Sequence, residues 1–180
     1  MPADEALLQI CLEHGARDAR IVNVDQIPFD KQLRTYCEAN ACGSYKRNYA
    51  CPPFVGEPEA LIARAQAKKR AVLFQTVAEL EDSFDIEGME RAAKAHAAAC
   101  RAIYRALSAE LGDMIFLTAG GCNICPECAA LKGEPCRCPD MAFSSLEAWC
   151  INVSRLCGKC GMKYINGQNT VTYFGMCMFD

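Results

Sequence analysis

Hydrophobic positions along this chain switch between a helical and a strand period. Ala3 to His14 carries an amphipathic helical pattern that Gly15 ends. RIVNV, Arg20 to Val24, reads as a strand, and Ile27-Pro28 breaks the pattern after it. A second helix opens at Glu57-Pro58, with proline in its tolerated first turn, and runs to about Ala67. AVLFQTV, Ala71 to Val77, has the unbroken apolar character of a buried strand. The clearest element is a long helix from Ile86 to Leu111. Met89, Ala93, His96, Cys100, Ile103, Leu107 and Leu111 mark its inner stripe, and Gly112 stops it. MIFLT, Met114 to Thr118, is the next strand and runs straight into Ala119-Gly120-Gly121-Cys122. Ser144-x-x-Glu147 is a capping-box signal for a helix to about Leu156. Lys163 to Ile165 and Thr170 to Phe179, joined at Asn166-Gly167, predict a hairpin with a two-residue turn.

Strands separated by helices predict an α/β fold: a mixed sheet with helices packed on it, parallel pairs and an antiparallel C-terminal edge. A length of 180 residues and an apolar fraction of 52% predict one domain over 1–180, with no internal repeat or linker. Two cysteine-rich stretches, at about 37–53 and 120–139, interrupt the regular pattern, and the second directly follows a strand. Ligand sites of open α/β sheets gather at the carboxyl ends of strands, so both loops are expected at one end of the sheet, sharing a site.

A net charge of −3, with both signs interspersed, gives no nucleic-acid footprint. The opening MPADEALLQI lacks the basic and apolar regions of a signal peptide, and no stretch is long enough to span a membrane. The expected location is the cytoplasm. Disulfides are rare in that reducing compartment, so fourteen cysteines read as metal-binding or redox-active.

The second loop, GGCNICPECAALKGEPCRCPD, spaces its thiols Cys122-x2-Cys125-x2-Cys128-x7-Cys136, with Cys138 two residues on. A C-x2-C-x2-C turn brings three thiolates to one cubane and aims the intervening backbone N–H groups at its sulfides. Cys136 or Cys138 supplies the fourth ligand, and Gly120-Gly121 lets the backbone curl closely. Zinc is the competing metal: Cys125-x2-Cys128 and Cys157-x2-Cys160 both have knuckle spacing, and two such pairs complete a tetrahedral site. The third thiol at Cys122 has no place in that arrangement.

The first loop, TYCEANACGSYKRNYACPPF, supplies Cys37, Cys42 and Cys51. Three thiolates leave a cubane one ligand short. The fourth is either remote, with Cys138 and Cys100 as candidates, or absent, which leaves an open iron as a substrate site. Lys46 and Arg47 are solvated charges or a docking point for an acidic redox partner; Tyr45 and Tyr49 pack around the site. His96 and Cys100 share one helical face at a metal-compatible spacing, but that face is the apolar stripe, which favours packing. Cys11 and Cys177 lie in apolar patterns. Cys150, beside Trp149, is either core or a thiol facing the cluster loop. No Ser/His/Asp arrangement, phosphate-binding loop or dinucleotide fingerprint is present.

YKRNYACPP, LTAGGCNICPECAALKGEPCR-x-P and SSLEAWCINV, in this order, resemble the "predicted metal-binding protein" family, domain of unknown function 2284. The resemblance covers most of the chain. It implies a metal-binding protein with iron–sulfur clusters, of the kind found in anaerobic bacteria and archaea, and implies no known reaction. The family's cysteines map onto Cys37, Cys42, Cys51, Cys122, Cys125, Cys128 and Cys136. This chain departs from the pattern at Cys138, at Cys150, and in the pair Cys157 and Cys160.

Together these readings predict a protein with two [4Fe–4S] clusters, or one, that transfers electrons to a protein redox partner or acts as a redox accessory. An enzyme with an open cluster at the first loop is a variant of that expectation. A zinc-stabilised binding module without redox chemistry is the alternative.

Overall fold

The computed structural model describes residues 3–180; residues 1 and 2 of the expected domain lie outside the described residues. Five strands, β1 (Asp18–Asn23), β2 (Arg70–Glu79), β3 (Ile115–Thr118), β4 (Ser144–Ser145) and β5 (Thr170–Phe179), form one sheet in the order β1-β2-β5-β3-β4. Helices α1 (Asp4–Glu13), α2 (Leu33–Glu38), α3 (Pro58–Gln66), α4 (Ile86–Glu110) and α5 (Val153–Cys160) complete the α/β fold. No helix among the described residues is long and apolar enough to cross a membrane.

Both faces of the sheet are covered. Ala71 and Leu73 of β2, with Phe174, Met176 and Met178 of β5, face a core shared with Leu61 of α3 and Leu156 of α5. Val72, Phe74 and Cys177 point the other way, onto Leu7 and Cys11 of α1 and Ile103 and Leu107 of α4. Coverage on both sides explains why AVLFQ is buried without a break.

The sheet differs from the expected one in its pairing. β5 is its central strand, antiparallel to both β2 and β3, and the one parallel pair is β3 with β4. An apolar run such as GMCMF marks a strand with neighbours on both sides, which is why an edge assignment fails. The expected hairpin is absent as well. Residues 163–165 form no strand, and the Asn166 amide instead donates to Gln75 Oε1 and Thr172 Oγ1, both at 3.0 Å.

The capping box at Ser144 also resolves differently. Ser144 pairs with Leu117, and its hydroxyl donates to the Ala50 carbonyl at 2.6 Å. Ser145 accepts from the Ala148 N–H, a 3₁₀ turn spans Glu147–Trp149, and Cys150 at φ +62° ends it. Helix α5 begins only after Asn152, whose side chain caps it by accepting from the Arg155 N–H at 3.1 Å. On α4 the buried stripe runs through Gly88 and Ala92 rather than Met89 and Ala93, then through His96, Cys100, Ile103 and Leu107 as the period predicts.

His96 and Cys100 belong to a closed polar network inside the core. Thr76 Oγ1 meets His96 Nδ1 at 2.8 Å, while His96 Nε2, Cys100 Sγ and Thr118 Oγ1 lie 3.2–3.3 Å from one another. Burial pushes the imidazole down to about 4 and the Cys100 thiol up to about 11, so the pair is neutral at pH 7. That is a packed structural pair and not an activated nucleophile.

Two expectations follow. The Phe74 ring lies across from Gly175, where an added Cβ would meet the ring Cζ at 2.2 Å. Gly175→Ala is therefore expected to destabilise by about 1–3 kcal/mol, read from the urea midpoint, and Phe74→Leu is expected to recover part of the loss in the double variant. An unshifted midpoint would refute the packing described. For His96 the folded pKa lies below the unfolded value of about 6.5. Its contribution is complete above that pH and is lost as pH falls toward 4, with a slope of up to about 1.4 kcal/mol per pH unit. His96→Gln should flatten that limb of the stability profile; identical slopes in the two proteins would show that His96 is not the group responsible.

Candidate metal centre

The parallel pair β3–β4 creates the site. A parallel connection must return the chain to the same end of the sheet, and residues 119–143, which contain the second cysteine loop, make that return. The loop leaves the carboxyl end of β3 at Gly120, φ +77°, a left-handed turn that glycine adopts without steric penalty. Cys128 then leads into a 3₁₀ turn at Ala129–Lys132, which Gly133 closes at φ +67°.

The first loop is built differently. Cys37 lies on α2, not in a loop. The chain beyond it folds on Asn40, whose side chain accepts from the Tyr45 N–H at 3.0 Å, and on Lys46, whose N–H donates to the Pro52 carbonyl at 2.9 Å. Both residues are left-handed, at φ +55° and +59°.

The two loops meet. A Cβ on Gly121 would lie 3.0 Å from Cys51 Sγ and 3.2 Å from both Asn48 Nδ2 and Ser44 Oγ, so a larger residue there would push these side chains back by a few tenths of an ångström. Tyr49 reaches across and donates to the Glu134 carbonyl at 2.6 Å, and Ser144 holds Ala50 to the end of the sheet. Tyr49, with Cys122, Cys125, Cys128, Cys136 and Cys138, lines one recess. Of the expected site residues, then, the five second-loop thiols share a recess, and Cys51 abuts the Gly121 that precedes Cys122. Cys42 and Cys37 are near enough to Cys51 for their charges to act on it.

The two candidates for a remote fourth ligand are both accounted for elsewhere. Cys100 belongs to the His96 network, and Cys138 stands beside Cys125 and Cys136 in the second-loop recess. The expected zinc set does not assemble either. Cys157 is buried in the α3/α5 core and pushed up to about 12 by that burial, with Cys160 as the neighbouring thiol acting on it, while Cys125 and Cys128 line the recess. Among the described residues no three His, Cys, Asp or Glu side chains are gathered tightly enough to hold a single ion.

The thiols are tuned as candidate ligands are. Desolvation pushes Cys51 up, and the Asn48 side chain opposes it by hydrogen-bonding the thiolate form. Desolvation likewise raises Cys122, while the Ile124 N–H lowers it; Cys136, Cys128 and Cys125 raise it further, since neighbouring thiolates repel. Thiols held together in this way ionise readily only when a cation arrives, so metal binding releases protons. Two features suit a sulfur-ligated group at this end of the sheet: an all-thiol donor set and a close backbone approach at Gly121. In a separate groove lined with Tyr49, Ala50 and Ser144, the buried Trp149 Nε1–H finds no hydrogen-bond acceptor among the described residues.

Asn48, Ser44 and Arg34 were not evident from the sequence as parts of this region. Arg34 carried no sequence signal, because the helix that sets it one turn before Cys37 falls where a loop was expected.

No curated protein and no solved structure matches the chain. A family model does, over residues 20–179, and that span includes both cysteine loops and every strand from Arg20 onward. The chain belongs to the predicted metal-binding protein family, domain of unknown function 2284.

Proposed function

We propose that this metal-binding protein is an iron–sulfur electron carrier. In this reading Cys122, Cys125, Cys128 and Cys136 hold one [4Fe–4S] cluster, and the first loop holds a second through Cys37, Cys42 and Cys51. The observation that carries it is the recess lined by the second-loop thiols, with the first loop pressed against its rim at Gly121 and Cys51. Thiols ranged around a recess suit a cluster better than one ion, whose ligands must converge to about 2.3 Å from a point. Bound there, such clusters supply reversible one-electron storage.

The remaining work falls to the chain. The Ile124 N–H and the Asn48 amide stabilise negative sulfur. Gly121 lets the two loops approach closely enough for an electron to pass between their ligands. Tyr49 keeps the loops in register. Lys46 and Arg47, both exposed on the first loop, offer a positive face to an acidic redox partner. A compact carrier of this kind is expected to work in the cytoplasm, where thiols stay reduced.

Protein expressed and purified without oxygen is expected to contain about eight iron and eight acid-labile sulfide per chain, with a broad absorption band that dithionite bleaches. Cys122→Ser should lose roughly half of both, whereas Cys157→Ser should keep them. Zinc without sulfide would replace this reading with the binding-module one. Full iron in Cys122→Ser would remove that residue from the ligand set.

A further inference from the structure

Three thiolates on the first loop leave a cluster one ligand short, and a fourth thiol lies beneath helix α2. Cys150 closes the 3₁₀ turn after β4 in the left-handed conformation, φ +62°, which side chains other than glycine seldom adopt. Its side chain is fully buried, yet it belongs to neither apolar cluster of the core. A cysteine thus occupies a fully buried position whose backbone favours glycine. Strained residues of this kind gather where surroundings or function hold them.

Helix α2 is clamped onto this turn. The Asp30 N–H donates to the Cys150 carbonyl at 2.7 Å, and Arg34 Nε donates to the Ala148 carbonyl at 2.8 Å. A second Arg34 nitrogen donates to the Gly56 carbonyl. Arg34 is 7% exposed, and among the described residues no carboxylate lies within ion-pairing distance of it. This buried guanidinium hydrogen-bonds only carbonyls, and the carboxylate its charge acts on, Glu59, is exposed, so the cation has capacity for a nearer anion. Cys37 follows it by one helical turn, on the same face. Burial pushes both Cys37 and Cys150 up, the Arg34 charge opposes it at each, and the Cys37 thiolate raises Cys150 further, so the three groups share the space between α2 and this turn.

We propose that Cys150 is the fourth thiolate of the first-loop cluster, joining Cys37, Cys42 and Cys51, and that Arg34 is the buried cation that balances that cluster's negative charge. The inference rests on the reading that the first loop holds a [4Fe–4S] cluster, and it decides between the two variants of that reading. A cluster with four thiolates has no open iron, so the first site is a second electron carrier and not a substrate-binding centre. Each thiol that binds releases its proton to solvent.

Cys150→Gly is the decisive variant because it relieves the left-handed backbone and should fold at least as well as the parent. Iron and sulfide of the unaltered protein are measured first; fewer than about eight of each removes the two-cluster reading and this inference together. Given two clusters, mild ferricyanide oxidation should leave the unaltered protein without a three-iron electron paramagnetic resonance signal. Cys150→Gly should lose the labile iron of one cluster and show that signal. A three-iron signal already present in the unaltered protein, or an identical response from Cys150→Gly, would overturn the ligand assignment while leaving two clusters in place. Arg34→Gln, which keeps a donor for the Ala148 carbonyl, should retain both clusters and shift one midpoint to a more negative potential, because the reduced state has lost its cation. Arg34→Lys should return that midpoint toward its original value, and unmoved potentials in both variants would exclude Arg34 from the site.

Discussion

The two cysteine loops are joined by a close approach at one glycine. Where Gly121 meets Cys51, Asn48 and Ser44, a Cβ would sit 3.0–3.2 Å from the ends of three side chains, each of which would have to give by a few tenths of an ångström. The other contacts across this seam, from Tyr49 to Glu134 and from Ser144 to Ala50, are hydrogen bonds that form once the loops are this close. A region with so little regular structure is consequently held together by one backbone contact and a few well-placed donors.

Charge is the second constraint. Thiolates at short spacing repel one another, and desolvation raises the cost of each negative charge. The fold answers with dipoles in the second loop, through the Ile124 N–H, and with a neutral amide and a full cation around the first, through Asn48 and Arg34. Each loop also has a guanidinium close by: Arg34 favours the thiolate of Cys37, and Arg137 that of Cys138.

The sequence was most legible where one local rule suffices. Helix α4 follows from its 3.6-residue period, α3 from proline in its first turn, and β2 from an unbroken apolar run. The errors fall where a distant partner decides. Ser144 has the residues of a capping box, but β3 and Ala50 claim it. Residues 163–165 have strand-like composition but no strand to join, because β5 is taken on both edges by β2 and β3. At the candidate site, spacing singled out the thiols of both loops, and the structure brings the two loops together at Gly121 and Cys51. It missed Arg34 and left Cys150 undecided because their relation crosses more than a hundred residues, through a hydrogen bond from α2 to the turn after β4.

β5 is the keystone of the sheet and also the last of its strands along the chain. Without it, the antiparallel pair β1–β2 and the two-residue parallel contact β3–β4 have no shared neighbour to join them. Domains close as units during synthesis, from the N-terminus onward. Here closure waits for Thr170–Phe179, and the seam between the cysteine loops lies on the β3–β4 side of the gap that this strand fills. Both loops therefore precede, along the chain, the strand that fixes the ground beneath them.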